Sequence, residues 1–358
     1  MRSLEFTRLT EEDVDIDQQR SDIKNRIDSV TDSGILNKIA SILRSSNLSN
    51  ITKLAFSKDE DASAFIGRLS QMILDLDIPI SGKIKFLREF GRTNMIKANV
   101  LFDKSNQVHS MEDWFEGSDT AKLMFKKMIN DPQLQGKFAG EAGPGEVAIA
   151  SFHREIQVGR TPDAGYDLMY NKQKIEVKAK TTDASGGGRW TAFDDAPFET
   201  YLNSPSSPFD KAKVPNGVRA LPGKTSAVKQ PSLAQVLNDP QYLKNPDAPL
   251  SQAQQKEIYK QVIKQAYQKA DDSTVDDAVR NYPNISIVGL AKVAFESYKR
   301  KQGLDSMLFI KSVADGISTI SFDDPEEAIA TLGNSIKTGD LYVRGQKQRG
   351  MAFQSTLK

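Results

Sequence analysis

The chain has no cysteine among its 358 residues and only two histidines, His109 and His153. Without thiols there is no disulfide, no cysteine nucleophile and no thiolate metal site. Two histidines also argue against a histidine-built zinc site. No apolar run approaches the ~18 residues that would suggest a membrane span. The opening stretch "MRSLEFTRLTEEDVDIDQQR" is too charged for the apolar core of a secretory signal. Global charge is lacking as well: 48 Lys+Arg stand against 47 Asp+Glu, for a formal net charge of +1. A polyanion could be held only by a local basic surface. Any metal must be held mainly by carboxylates, which favours Mg²⁺ or Mn²⁺.

What is present suits a folded, soluble chain, with 38% hydrophobic and 27% charged residues. The length admits two or three domains at roughly 100–200 residues each. Residues 20–130 read as helical. In "DASAFIGRLSQMILDLDIPI", Phe65, Leu69, Met72, Ile73 and Leu76 form an apolar stripe at helical spacing, and the acidic "SKDED" ahead of it suits a helix start. "SGKIKFLREFG" and "SDTAKLMFKKMIND" read as further short helices. A glycine-rich break, "GKFAGEAGPGE" (137–147), separates this half from a mixed pattern. There "GEVAIASFHREI" reads as a short helix, and "YDLMY" and "KIEVKAK" alternate as half-buried strands do.

Nine of the 15 prolines lie between 197 and 249, which predicts an insertion with little regular structure from about 183 to 250. "SQAQQKEIYKQVIKQAYQKADD" then reads as an amphipathic helix carrying Ile258, Val262 and Ala266, so the whole insertion spans about 183–285. After it, "VGLAKVAFESYKRKQG" and "DPEEAIATLGNS" read as helices, and "SMLFIKS", "GISTISF", "GDLYVRG" and "GMAFQST" as strands. The expected class is α/β (α+β): a helical N-terminal domain, 1–130, then a mixed sheet flanked by helices over 131–358. The two should be separable, with the break near 131–145.

The stretch "GYDLMYNKQKIEVKAK" (165–180) sets charges among strand residues. Glu176 and Lys178 are two apart and share one face of their strand. A turn at Asn171-Lys172, or a four-residue loop at 170–173, pairs Tyr170 with Gln173 and Asp167 with Glu176. The same register pairs Leu168 with Ile175 and Tyr166 with Val177, so the other face is apolar. A one-residue slip would spoil both faces. Asn tolerates φ > 0 in a tight turn, Lys less readily. Two carboxylates directly opposite each other repel. A divalent cation between them removes that cost, bridges to phosphate oxygens and generates hydroxide from water. Lys178 beside it suits orienting that water or stabilising charge on a phosphoryl group. Glu146, opening the short helix after "GPG", offers a third acidic ligand, and His153 follows it seven residues on, on the same helical face.

Glu146, then "GYDL" with Asp167, then "IEVKAK" with Glu176 and Lys178 resembles the PD-(D/E)xK nuclease superfamily, over roughly residues 141–180. The resemblance implies a restriction-endonuclease-like fold in which Asp167 and Glu176 bind Mg²⁺, with Mn²⁺ able to substitute. It further implies that Glu146 supports the metal and Lys178 acts on the attacking water. The catalytic set implied is therefore Glu146, Asp167, Glu176 and Lys178. The activity implied is metal-dependent hydrolysis of DNA phosphodiester bonds.

The partners expected are DNA and either a second copy or proteins of a phage or DNA-processing complex, with no membrane. A bacteriophage-encoded protein, acting in the host cytoplasm or carried in a virion, fits the lack of cysteine. The competing reading is a nuclease-fold structural or DNA-binding component of such a particle or complex, without robust catalysis.

Lys180 and Arg189, the latter in "DASGGGRW", are the substrate-contact candidates. Local basic runs add Lys211, Lys213, Arg219, Lys224 and Lys229, and further on Lys337, Arg344, Lys347, Arg349 and Lys358. "GVRALPGKTS" (217–226) mimics a phosphate loop, but five residues separate Gly217 from Gly223 where four are required, and no strand precedes it. His109 has no visible company in the sequence.

Overall fold

The computed structural model describes residues 34–354 apart from 132–133, 135–142, 160–164, 181–188, 192–195, 222–229, 314–315, 333–336, 339–342 and 346–351 and the positions 45, 47, 57, 91 and 106. The short, local signals of the N-terminal half become helices at Leu48–Ala55, Asp59–Leu74, Ile80–Glu89 and Asp119–Asn130. Asp59, Glu60 and Asp61 fill the first turn of the second, where carboxylates favour the positive end of the helix dipole. Ser118 caps the fourth by accepting from the Ala121 N–H. Phe65, Leu69, Met72, Ile73 and Leu76 are all buried, as the stripe requires.

The described residues hold nine strands, in chain order β1 (His109–Ser110), β2 (Gln157–Val158), β3 (Leu168–Tyr170), β4 (Gln173–Lys180), β5 (Arg189–Thr191), β6 (Ser306–Val313), β7 (Gly316–Phe322), β8 (Lys337–Thr338) and β9 (Ala352–Gln354). Six of them form one mixed sheet in the order β1-β7-β6-β4-β3-β2, and β5, β9 and β8 form a second, small one. Only the central pair of the large sheet, β4 and β6, is parallel. A parallel pair needs a long crossover. Here the crossover is the insertion followed by the helix Ile287–Gln302.

A central parallel pair is buried on both faces, and two apolar cores do this. On one face Leu168, Ile175, Val177, Leu308, Ile310 and Ile317 join the N-terminal helices and the helix Pro144–Ser151. On the other, Met307, Phe309, Ile320 and Phe322 join the helix Ile287–Gln302 and the insertion.

Two expectations change. The N-terminal half is not a separable helical domain: it supplies β1 to the sheet edge, and its helices share one continuous core with the sheet. Most of the expected break, 132–133 and 135–142, lies outside the described residues. The proline-rich insertion is not loose either. It carries helices at Pro197–Leu202, Leu233–Asn238, Gln252–Ala266 and Asp272–Val279. Phe198, Phe209, Val236, Tyr259 and Val262 are buried together in its core. Prolines and capping serines here punctuate short packed elements: Ser232 and Ser251 each form a capping box, with Gln235 and Gln254. "GDLYVRG" is not a strand where described, since 343–345 is irregular; "GMAFQST" contains β9.

A fragment beginning at residue 143 therefore bares the sheet face formed by Leu168, Ile175, Val177, Leu308 and Ile310. It should show no cooperative thermal transition by circular dichroism, whereas the whole chain should. A sharp transition for the fragment would restore the two-domain plan.

Candidate active site

The β3–β4 hairpin turns through two residues, Asn171 (φ 50°) and Lys172 (φ 65°), both left-handed. This is the two-residue form that the right-handed twist of the strands favours, so Lys172 accepts the conformation to which it is less suited. The register is Leu168↔Ile175, Met169↔Lys174 and Tyr170↔Gln173. The ladder ends there: the Asp167 N–H donates to Ile175 O at 3.1 Å, its O accepts from Gly159 N at 2.8 Å, and its carboxyl takes the Val177 N–H. The expected pairing of Tyr166 with Val177 on the apolar face does not form, since Tyr166 packs with the second core and against Lys174 while Val177 lies in the first. The Asp167 carboxyl still reaches that of Glu176, with Lys178 one step further along the same face of β4. The apolar partners Leu168, Ile175 and Val177 point into the opposite core.

Every polar group in the cluster is engaged. The Val177 N–H donates to Asp167 Oδ2 at 2.8 Å. Lys178 Nζ donates to Glu176 Oε1, and the Tyr298 O–H donates to the same oxygen at 2.7 Å. The Lys178 ammonium lies 5.4 Å from the centre of the Tyr298 ring, within cation–π range. Glu176 is 5% exposed, which makes these contacts costly to lose.

Glu146 occupies the third position of the helix Pro144–Ser151 and reaches back to accept from the Gly143 N–H. A side chain at Gly143 would put its Cβ 2.8 Å from Glu146 Oε1, so the glycine keeps this carboxyl in place. The carboxyl also feels the charges of Asp167, Lys178 and Glu176.

Burial first, and the Asp167 charge second, push the Glu146 carboxyl up to about 8. Burial and then the Glu176 charge raise Asp167 to about 6. Burial works against the charge on Lys178, but Glu176, Tyr298 and Asp167 outweigh it and hold its pKa above the usual range. The metal-free cluster thus balances its acids with one ammonium and with protons. Among the described residues no three acidic or histidine side chains converge into a preformed metal cage. The donor set still fits Mg²⁺, which is commonly held through one or two carboxylates with water at its other positions. Asp167 and Glu176, within hydrogen-bonding reach of each other, are the residues that would hold it.

Other expectations fall differently. The helix ends at Ser151, so His153 does not share a face with Glu146. It is buried on the apolar side, edge-to-face with Tyr170 at 5.5 Å, and Nδ1 accepts from the Glu155 N–H at 3.3 Å. His109 has a partner after all, Asp103 at 3.2 Å. Lys180 ends β4 and Arg189 begins β5; only their backbones are described.

The basic runs are largely committed to structure. Lys211 pairs with Glu199 at 2.6 Å and Lys213 with Asp210 at 3.6 Å. Arg344, buried, lies 3.0 Å from Glu199, and Arg219 is buried too. Only the backbone of Lys337 is described. Residues 183–188, Lys224, Lys229, Lys347, Arg349 and Lys358, and the end of the phosphate-loop mimic, lie outside the described residues.

Tyr298 is the group that sequence reasoning missed. Its one signal was weak: it continues the Leu290–Ala294 stripe at a step of four, a phenol where an aliphatic was due. Comparison with protein-family models, curated proteins and solved structures found no match to this chain.

Raised carboxyl pKa values make folding proton-linked. Glu146 moves from 4.5 to about 8 and Asp167 from 3.8 to about 6, so between those limits the folded state holds more protons than the unfolded one. Their contribution to stability is fully present below the unfolded values and is lost as pH rises through about 6 and then about 8. In chelator, the melting temperature should fall across that range, and Glu146→Gln should remove the fall at its upper end. An unchanged profile in Glu146→Gln would show that Glu146 is ionised in the folded protein.

Proposed function

We propose that the chain is a Mg²⁺-dependent nuclease of the PD-(D/E)xK type, hydrolysing DNA phosphodiester bonds at Asp167, Glu176 and Lys178. The observation that carries this reading is the juxtaposition itself. A half-buried carboxyl just before β3 and a buried one on β4 lie within hydrogen-bonding reach of each other, with an ammonium one pleat on. A structural ion pair needs one acid and one base; Asp167 adds a second, repelling acid, whose cost a hydrogen bond from the Val177 N–H offsets only in part. The order of elements supports the same reading. A helix with Glu146, the β2–β3–β4 meander, the helix Ile287–Gln302 and the parallel strand β6 surround the site, an order in keeping with the restriction-endonuclease-like fold proposed.

Mg²⁺, when bound, supplies a Lewis acid that polarises phosphate oxygens and lowers the pKa of water. The protein's part is to position. Asp167 and Glu176 present oxygens from two adjacent strands whose register is fixed by the turn and the apolar face behind. Lys178 stays charged and donates to phosphate oxygens as negative charge builds there. Tyr298 fixes the Glu176 carboxylate from the opposite helix and is a positioning residue. DNA is the proposed partner. No described helix is long and apolar enough to cross a membrane.

One observation favours the structural alternative. The Glu176–Lys178–Tyr298 contacts already form a closed network without a metal. The two readings part on substitution. For the nuclease, Asp167→Asn and Glu176→Gln should each abolish Mg²⁺-dependent cleavage of linear or circular DNA. Lys178→Gln should lower the rate by roughly 10²–10³-fold. Tyr298→Phe should cost less, with kcat falling more than DNA affinity. In chelator at about pH 8, Asp167→Asn should melt higher than the wild type, because a repelling charge is gone. Wild-type protein that cuts no DNA with Mg²⁺ or Mn²⁺, together with an Asp167→Asn variant that melts lower, would leave the structural role standing.

A further inference from the structure

Asp167 stands just outside β3, one residue before the ladder begins at Leu168. The alternation of the hairpin therefore does not by itself decide where its carboxyl goes. Three hydrogen bonds hold the residue: its N–H to Ile175 O, its O from the Gly159 N–H, and its Oδ2 from the Val177 N–H. The chain that leads into it is pinned by two glycines.

Gly159 follows β2, is buried, and lies against the peptide that joins Tyr166 to Asp167. A Cβ on Gly159 would sit 2.0 Å from Tyr166 O and 3.1 Å from Tyr166 Cδ2. Real Cβ contacts stay above 3.0 Å, so a methyl there would force the Tyr166 carbonyl back by about an ångström. Tyr166 has little room to retreat, since its ring packs with the second core and the Lys174 ammonium stands over it, 5.6 Å from its centre. The displacement would pass to Asp167.

Gly165, on the other side of Tyr166, takes φ 68°, a left-handed conformation that glycine adopts freely. A Cβ on it would lie 3.2 Å from both Gln302 O and Gln302 Oε1, at the end of the helix Ile287–Gln302. Gln302 is one turn beyond Tyr298 and shares its face of that helix. One helix face thus bonds to Glu176 through Tyr298 and backs the approach to Asp167 through Gln302.

We propose that Gly159 and Gly165 are positioning residues: their lack of a side chain lets the 165–167 backbone lie close against the end of β2 and the helix Ile287–Gln302, and so sets the Asp167 carboxyl beside Glu176. This rests on the nuclease reading above, in which that pair holds the metal. A catalytic constellation tolerates little displacement, and ~1 Å of misplacement costs about 10²-fold in rate.

Gly159→Ala and Gly165→Ala are to be compared with Gly67→Ala, on an exposed helix face where an added Cβ meets nothing within 4 Å. Each is followed by circular-dichroism melting, by Mn²⁺ affinity from titration calorimetry and by steady-state cleavage of linear DNA. Gly159→Ala should melt cooperatively, bind Mn²⁺ at least about tenfold more weakly, and lose roughly 10²-fold in kcat with KM for DNA little changed. Gly165→Ala, whose methyl asks Gln302 to give only a few tenths of an ångström, should move the same quantities less. Gly67→Ala should move none of them. Should Gly159→Ala fail to fold, Gly165→Ala carries the decision alone. If the wild type binds Mn²⁺ and cuts DNA while the folded glycine variants keep its metal affinity and kcat, the positioning role is wrong and the nuclease reading stands. A loss of activity that tracks melting temperature, with Mn²⁺ affinity unchanged, would also overturn it, by reducing the glycines to packing. If the wild type neither binds Mn²⁺ nor cuts DNA, both proposals fall together.

Discussion

Two carboxyl groups set side by side away from water must be neutralised, and the surroundings of Asp167 and Glu176 follow from that requirement. The Val177 N–H meets Asp167, and the Lys178 ammonium and the Tyr298 hydroxyl meet one oxygen of Glu176. Glu146, a third acid, is held at the edge of the cluster by the Gly143 N–H and by a glycine that leaves room for it. The repulsion is built in by the hairpin register, and that register cannot slip without turning Leu168 and Ile175 out of their core. Apolar packing on one side of the hairpin thus holds an electrostatic conflict on the other.

The remainder of the chain can be understood as the cover this sheet requires. The N-terminal helices close one face and the insertion closes the other, through the helix Ile287–Gln302. That helix runs over a face that is apolar on β6 and β7 and charged on β3 and β4, and its residues change accordingly. Leu290 and Ala294 enter the core, and Tyr298, one further step along, brings a ring that packs and a hydroxyl that bonds. A phenol suits such a boundary because one end is apolar and the other can donate. The cover therefore completes the site as well as the core.

The parts legible in the sequence were those that depend on near neighbours. The turn of the hairpin and its Leu168–Ile175 and Tyr170–Gln173 pairs could be read because a period of two and a short turn over-determine them, whereas Tyr166, beyond those pairs, was placed on the wrong face. The helical stripe of Phe65, Leu69, Met72, Ile73 and Leu76 was legible for the same reason, and so were β6 and β7. Contacts between distant segments left no such trace. A two-residue strand, β1, is too short to carry a period, so its place on the sheet edge was invisible, and with it the union of the N-terminal half with the sheet. The insertion was misread because prolines were taken to mean loose chain. Its order comes from Phe198, Phe209 and Tyr259 meeting across tens of residues, and from bonds such as Tyr259 Oη to Ala220 O at 2.8 Å. Tyr298 bonds to a residue 122 positions away. The bases Arg219 and Arg344 looked like a surface run and are buried for the same kind of reason.

On the nuclease reading, Lys178 plays two parts that follow from one charge. In the metal-free protein it is the counter-ion of Glu176, and its raised pKa keeps it charged there. Glu176 would hold a divalent cation only by sharing the carboxylate with that ammonium, and Lys178, released from it, would be free to donate to a phosphate oxygen. Metal and phosphate would then favour each other's binding, and by linkage the effect would be mutual. The closed Glu176–Lys178–Tyr298 network is therefore compatible with catalysis: it is the arrangement to be expected of such a site at rest, with the ammonium and the carboxyl protons standing where a metal and its phosphate would otherwise be required.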